Sequence, residues 1–399
     1  MIFMGRLALV AAISVVSASY AVAAEPPAAC AYLSSSIDAL PSGPAFLPSF
    51  PTVKSGALKD TAFLYDNAVA VIALIGCGEA TKAARIGDAM LVALDHDRYW
   101  HDGRLRNGYL AGAVTDPVKL AGWWDTPKNM WVEDRYQVGS DNGNMAWAIL
   151  ALLALDRATN DHLFRDGAAR IGGWVKQWRS KVGPGGFTGG TFAHEPIAVI
   201  ETWKSTEHNT DLYAAFTGLA KATGDKAWLV EADAALNFVR AMWRPTCGCF
   251  AVGTGADGKT TNPYLALDAQ TWPLLAIARA KETYKAAMAP GSLRVGDGFA
   301  YSEAKEGLWT EGTAQVALLL ALSGREAEGR RMLAALKAMR APSGSYYATS
   351  TQALPTGFML ETDPTQPRQY FHVEHLAAVA WVAIAQRRFN PFTGTSALP

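Results

Sequence analysis

The chain has 399 residues and equal numbers of basic and acidic side chains, 36 of each. Only 18% of its residues are charged, half are hydrophobic, and it holds 13 Trp, 13 Tyr and 15 Phe. A neutral chain lacks the electrostatic footprint for nucleic acid or an anionic membrane surface, this apolar content excludes disorder, and four Cys are too few for a disulfide scaffold.

The N-terminus reads as a signal peptide over residues 1–24. Arg6 supplies the positive charge, Leu7 to Val16 the apolar stretch, and Val22 and Ala24 the small residues of a cleavage site. The stretch is shorter than the ~20 residues needed to span a bilayer, so no stable membrane anchor is expected. Losing Arg6 leaves 35 basic and 36 acidic residues, a mature charge of −1. The product is expected in the periplasm or the medium. Cys30 and Cys77 stand alone, whereas Cys247 and Cys249 flank Gly248. With no His nearby in sequence, these read as structural thiols or disulfides rather than zinc ligands.

Beyond the leader, a short polar cluster precedes an Ala/Leu-rich run six times. In chain order the clusters are Tyr65-Asp66-Asn67, Ser140 to Asn144, Ser205 to Asp211, Asp268 to Trp272, Thr310 to Gln315, and His372-Val373-Glu374-His375. The runs are apolar almost all round, as expected of helices buried on every side. Most are followed by Gly or Asp and then by an amphipathic helix, such as 227–242 after Gly224-Asp225 and 326–339 after Gly324. Six buried helices paired with amphipathic ones predict a closed double ring over residues 25–399. The fourth run has a weak partner and the sixth has none after it, so the segment 31–40 is expected to close the ring. Strand signals are sparse. Phe187 to Phe192 and Phe250 to Val252 read as small hairpins.

This pattern resembles the six-hairpin glycosidase-like superfamily, over nearly all of the mature chain. Tyr65-Asp66-Asn67 and Glu207-His208-Asn209-Thr210-Asp211 carry the likeness best. The resemblance implies an all-α (α/α)6 toroid. It also implies a carbohydrate-active enzyme, since glycoside hydrolases, polysaccharide lyases and sugar epimerases share this fold, and fold does not fix which.

In such a ring the inner helices start at one mouth, where the polar clusters converge. Any one cluster is explained by helix capping, but six at one end exceed what caps require. Three long connections, 96–139, 182–206 and 341–371, bring aromatics to that end, and loops of this length are commonly functional. Glycoside hydrolysis needs two carboxyl groups flanking the scissile bond. Glu207 is the first candidate for general acid and Asp141 for base. Asp211, one helical turn below Glu207, is placed to tune it, and Glu311 and Glu374 are alternates. Asp66, Trp123, Trp124, Trp131, Trp203, His208, Trp309, Tyr370 and His372 are candidates for sugar subsites.

Other motifs carry less. Gly253 to Gly258 matches G-x-G-x-x-G, but no helix pattern follows, so dinucleotide binding is rejected. There is no HExxH and no G-x-S-x-G elbow. Neither metal nor cofactor is expected, and a monomer acting on an oligo- or polysaccharide is. The leading reading is an exported glycoside hydrolase. A lyase is the rival, drawing on His208, Tyr213, His372, Tyr136, Arg135 and Arg368. A glycan-binding protein of an exopolysaccharide system is the non-enzymatic alternative.

Overall fold

The computed structural model describes residues 27–288, 291–360, 363 and 365–399. The leader expected over 1–24 lies outside the described residues.

Six inner helices form a closed ring. They are α2 (Leu64–Gly76), α4 (Asn142–Thr159), α6 (Thr206–Thr223), α8 (Leu267–Ala276), α10 (Thr310–Leu322) and α12 (Leu376–Arg387). Each packs on the next in chain order, and α12 returns to α2. All ten residues of α8 are buried, as are 142–155 of α4 and 310–320 of α10. Helices without a wet face must be enclosed by other helices.

The outer layer is α3 (Ala80–Asp95), α5 (His162–Val175), α7 (Ala227–Ala241), the short α9 (Ala280–Thr283) and α11 (Glu326–Ala335). The sixth position is filled from the N-terminus. Helix α1 (Ala28–Asp38) packs on α12 and α2 and is tied to the end of α2 by the Cys30–Cys77 disulfide. The other two Cys pair as Cys247–Cys249. Inner-to-outer turns are tight because left-handed residues end the helices, Asn160 after α4 and Gly224 after α6. All strands are short and antiparallel.

The ring interior is plugged by aromatics. Tyr65, Trp147, Trp272 and Trp381 each come from an inner helix, and their ring centroids lie 5.2–6.4 Å apart. Phe392 from the C-terminal tail packs on Trp147 and Trp272. Three of the 13 Trp are therefore spent on the barrel core rather than on the mouth.

A repeated amide device holds the long connections. Asn67 accepts from the backbone N–H of Leu47 (2.8 Å) and donates to its carbonyl (3.0 Å). Asn209 brackets Phe187 in the same way (2.8 and 3.1 Å), and Gln270 brackets Phe250 (2.8 and 2.9 Å). Each amide satisfies both backbone groups of one buried loop residue, which water cannot reach. Asn209→Leu leaves two buried backbone groups of Phe187 unpaired, at about 1–3 kcal/mol each. A lower urea midpoint with unchanged slope is the expected readout.

An ion network ties two further connections together. The Arg106 guanidinium, fully buried, donates to Asp97 (2.6 and 2.8 Å) and Glu195 (3.2 Å). Arg98 bridges Glu133 and Glu195. Burial pushes the Glu195 carboxyl up, but the two guanidinium groups outweigh it and hold the carboxyl at about 2.

Candidate active site

The first turns of the inner helices converge on one group of side chains. Helix α2 brings Tyr65 and Asp66, α6 brings Glu207 and Asp211, α8 brings Asp268, and α10 brings Glu311. His375, immediately before α12, completes the group. These acids are not spent on capping. Ser205 caps α6 by accepting from the N–H of His208, and α8 and α10 have no side-chain cap.

The group divides into two halves. In the first, the carboxyl groups of Glu207 and Asp268 meet across α6 and α8 and share a hydrogen bond. Burial pushes Glu207 well above the usual carboxylate range, Asp268 and Asp211 push it further, and Arg368 opposes them. Burial raises Asp268 to about 6, against the lowering pull of the Ala269 N–H. Asp211 is fully enclosed, and neither of its oxygens meets a hydrogen-bond donor. Burial and Asp268 hold it well above its ordinary value. The Trp147 indole lies near enough to favour the ionised form without reaching hydrogen-bond geometry. A carboxylate with no donor is costly in such a place, so burial favours the protonated form of Asp211.

The second half is ionic. His375 Nε2 lies 3.1 Å from Asp66 Oδ2, and Nδ1 lies 3.3 Å from Glu311 Oε1. Burial pulls the imidazole down, but the two flanking carboxylates overcome it and raise it to about 10. Phe50 stacks on the ring face at 4.8 Å. The Tyr65 hydroxyl donates to Glu311 Oε2 (3.1 Å) and accepts from the Trp381 indole N–H (2.8 Å). Burial first, then Glu311, keeps the Tyr65 phenol protonated.

Of the five carboxyl groups, Asp66, Asp211, Asp268 and Glu311 are enclosed, and Glu207 is half-buried. Glu207 is therefore the acid best placed to touch a substrate. Around it stand Tyr301, Tyr370 and Arg368, the last two on one strand of the hairpin Ala353–Met359/Pro367–Phe371. Burial lowers the neighbouring His208 to about 3, so it is a neutral ring. It lies against Trp203 at 5.4 Å and against Gly143 of α4, where an added Cβ would come within 2.4 Å of the imidazole.

The remaining candidates are placed elsewhere or in other roles. Asp141 is buried and tied to Asn107, whose Nδ2 donates to Asp141 Oδ1 (2.8 Å) and whose Oδ1 accepts the Asp141 N–H (2.7 Å). Glu374 accepts from Ser343 Oγ (2.6 Å). His372 stacks on Tyr347 at 4.1 Å, with Nδ1 2.6 Å from the Thr349 carbonyl. Trp309 is buried against Tyr301 and Tyr370. Trp123, Trp124 and Trp131 lie on the hairpin Trp123–Asp125/Met130–Val132. There Trp124 and Trp131 form a cross-strand pair, 56% and 54% exposed. Asp268, His375 and Tyr65 belong to the group although sequence reasoning did not select them. The available signal was position, since all three lie in or beside the first turn of an apolar run. Among the described residues, no set of three His, Cys, Asp or Glu is placed to hold a metal ion.

The comparisons agree with this geometry at the level of fold. No family model matches the chain, and no curated protein does. Solved structures do match. A glycosidase aligns with TM-score 0.62 and 14% identity, over 90% of this chain and 95% of its own. A GH76 α-mannanase from Bacteroides thetaiotaomicron gives 0.56 and 12%, over 90% and 94%. A sugar epimerase from a ruminal bacterium gives 0.62 and 11%, over 89% and 96%. The chain has the six-hairpin glycosidase-like fold, an (α/α)6 toroid.

Proposed function

We propose that the protein is a glycoside hydrolase acting on an oligo- or polysaccharide, with Glu207 as general acid and Glu311 on the base or nucleophile side. The carrying observation is the split of one carboxyl group into two halves. Glu207, half-buried, has its protonated form favoured by burial and by Asp268 and Asp211, and Glu311 Oε1 lies 3.3 Å from His375 Nδ1. Placing two carboxyl groups in contrasting surroundings is how a site runs acid and base chemistry together. The aromatic lining, Tyr65, Tyr301, Tyr370 and Trp203, offers flat apolar faces to a sugar ring. Two of the structural neighbours are named as a glycosidase and an α-mannanase, which supports the same reading. The leader pattern of residues 1–24 supports action outside the cytoplasm.

Arg368 beside Glu207 keeps a lyase acting on anionic sugars as a second reading. A product assay on a glycan panel separates the two. New reducing ends without ultraviolet absorbance from unsaturated ends support the hydrolase, and that absorbance supports the lyase. Binding without either product supports the binding-protein alternative.

The acid assignment also fixes a pH response. Activity requires Glu207 protonated, so it falls as pH rises through the value of the Glu207–Asp268 pair. Asp268→Asn removes a neighbour that raises Glu207. The alkaline limb of kcat/KM then moves to lower pH, by about one unit or more. Arg368→Met removes the opposing charge and moves the limb the other way.

A further inference from the structure

We propose that Cys247–Cys249 is a thiol–disulfide exchange site for a low-molecular-weight thiol. This assignment is independent of the carbohydrate reading. The two disulfides differ in setting. Cys30–Cys77 joins residues 47 apart, with Cys30 on the buried face of α1. Cys247–Cys249 joins residues 2 apart. Closing so short a loop restrains the unfolded chain little, so the fold depends little on this bond. The turn is already held by other means. Cys247 and Gly248 both donate backbone N–H groups to the Arg244 carbonyl (3.3 and 3.0 Å), Gly248 adopts φ +61°, and Arg244 pairs with Cys249 across the hairpin. Opening the disulfide thus leaves the hairpin with its hydrogen bonds.

The two sulfurs also differ in access. Cys247 is exposed at the turn, and Cys249 is buried in the strand. Exposed disulfides whose bond the fold does not need are the labile ones. A thiolate attacks Sγ of Cys247 and forms a mixed disulfide there. The Cys247–Cys249 bond breaks, and its electron pair leaves on Cys249 Sγ, which takes a proton. A second thiolate attacks the mixed disulfide, releasing Cys247 as thiolate and the small thiol as its own disulfide. Two thiols are oxidised and one protein disulfide is reduced. Because Cys249 is two residues away, it can also re-attack and close the bond, so the site is reversible. The hairpin lies beside the helices of the candidate site. Residue 250 is bracketed by Gln270 of α8, and the carbonyl of Ala251 and N–H of Thr206 anchor the start of α6 through Thr206 Oγ1 and Val252. These are the helices that carry Asp268 and Glu207.

The test treats the folded full chain with glutathione, quenches with an alkylating reagent and maps the cysteines by mass spectrometry. Reduced glutathione is expected to open Cys247–Cys249 completely while Cys30–Cys77 stays joined. With oxidised glutathione, Cys249→Ser is expected to take up one glutathione on Cys247, and Cys247→Ser none on Cys249. Retention of both disulfides, their loss together, or equal labelling of the two single-Cys variants would overturn the assignment. The wild-type map decides the matter if either variant fails to fold.

Discussion

Glu207→Gln is expected to lower hydrolysis of the natural glycan by about 100- to 10,000-fold, the range a general acid contributes. Glutamine keeps the shape of the protonated side chain and its capacity to hydrogen-bond Asp268, but it has no proton to give to a leaving oxygen. The fold should survive the change, because burial and the carboxyl neighbours already disfavour the charged form of the native group. The expected pattern is a loss in kcat with a smaller change in KM, measured with an unchanged urea midpoint. A loss of activity accompanied by a collapse in stability would instead mark Glu207 as a structural group.

The second large effect concerns the ionic half. His375→Gln removes the positive charge between Asp66 and Glu311, two carboxylates that are enclosed in the ring. Breaking a buried ion group by deleting one partner costs about 3–5 kcal/mol, because the remaining charges stay without compensation. The pH dependence has a definite sign. His375 titrates at about 10 in the folded chain, against an ordinary value near about 6.5. A group raised on folding contributes its full stabilisation below the unfolded value and loses it as pH rises through the folded one. Wild-type stability should therefore fall between about pH 6.5 and 10, with a slope approaching about 1.4 kcal/mol per pH unit for one proton. Denaturant midpoints across that window should fall in the wild type more steeply than in His375→Gln, where the raised carboxyl groups Glu207 and Asp211 remain to titrate.

Much of the architecture was legible in the sequence for a simple reason. A helix that is apolar all round has no stable place except inside other helices, and the runs at 68–74, 145–150 and 316–320 are of that kind. The closing role of the segment after Cys30 followed from the sixth run lacking a partner, and α1 fills that position. The site was legible in part. Glu207, Asp268 and Glu311 each occupy the second position of their helix, so one positional rule would have found Asp268 with the others. In sequence alone an Asp at such a position is equally explained by the helix terminus. For His375, spacing within His372-Val373-Glu374-His375 does not say which residue turns inward.

Two further readings were beyond sequence reach. Asp141 finds Asn107, 34 residues away, through a loop whose path depends on tertiary contacts. The aromatic count was ambiguous because an indole fills a core as readily as it floors a subsite. Trp147, Trp272 and Trp381 plug the ring beneath the acids, whereas Trp124 and Trp131 stand in solvent. The polar clusters proved to have two uses at once. Asn67, Asn209 and Gln270 hold the loops, and the acids beside them form the candidate site.

The role given to Glu207 is tested most directly by varying the leaving group. Wild type and Glu207→Gln would be compared on the natural glycan and on an aryl glycoside of the same sugar whose phenol is acidic enough to depart without protonation. If Glu207 is the general acid, the variant loses the glycan activity and keeps most of its rate on the aryl glycoside. Equal loss on both substrates, or full retention on the glycan, would contradict the account.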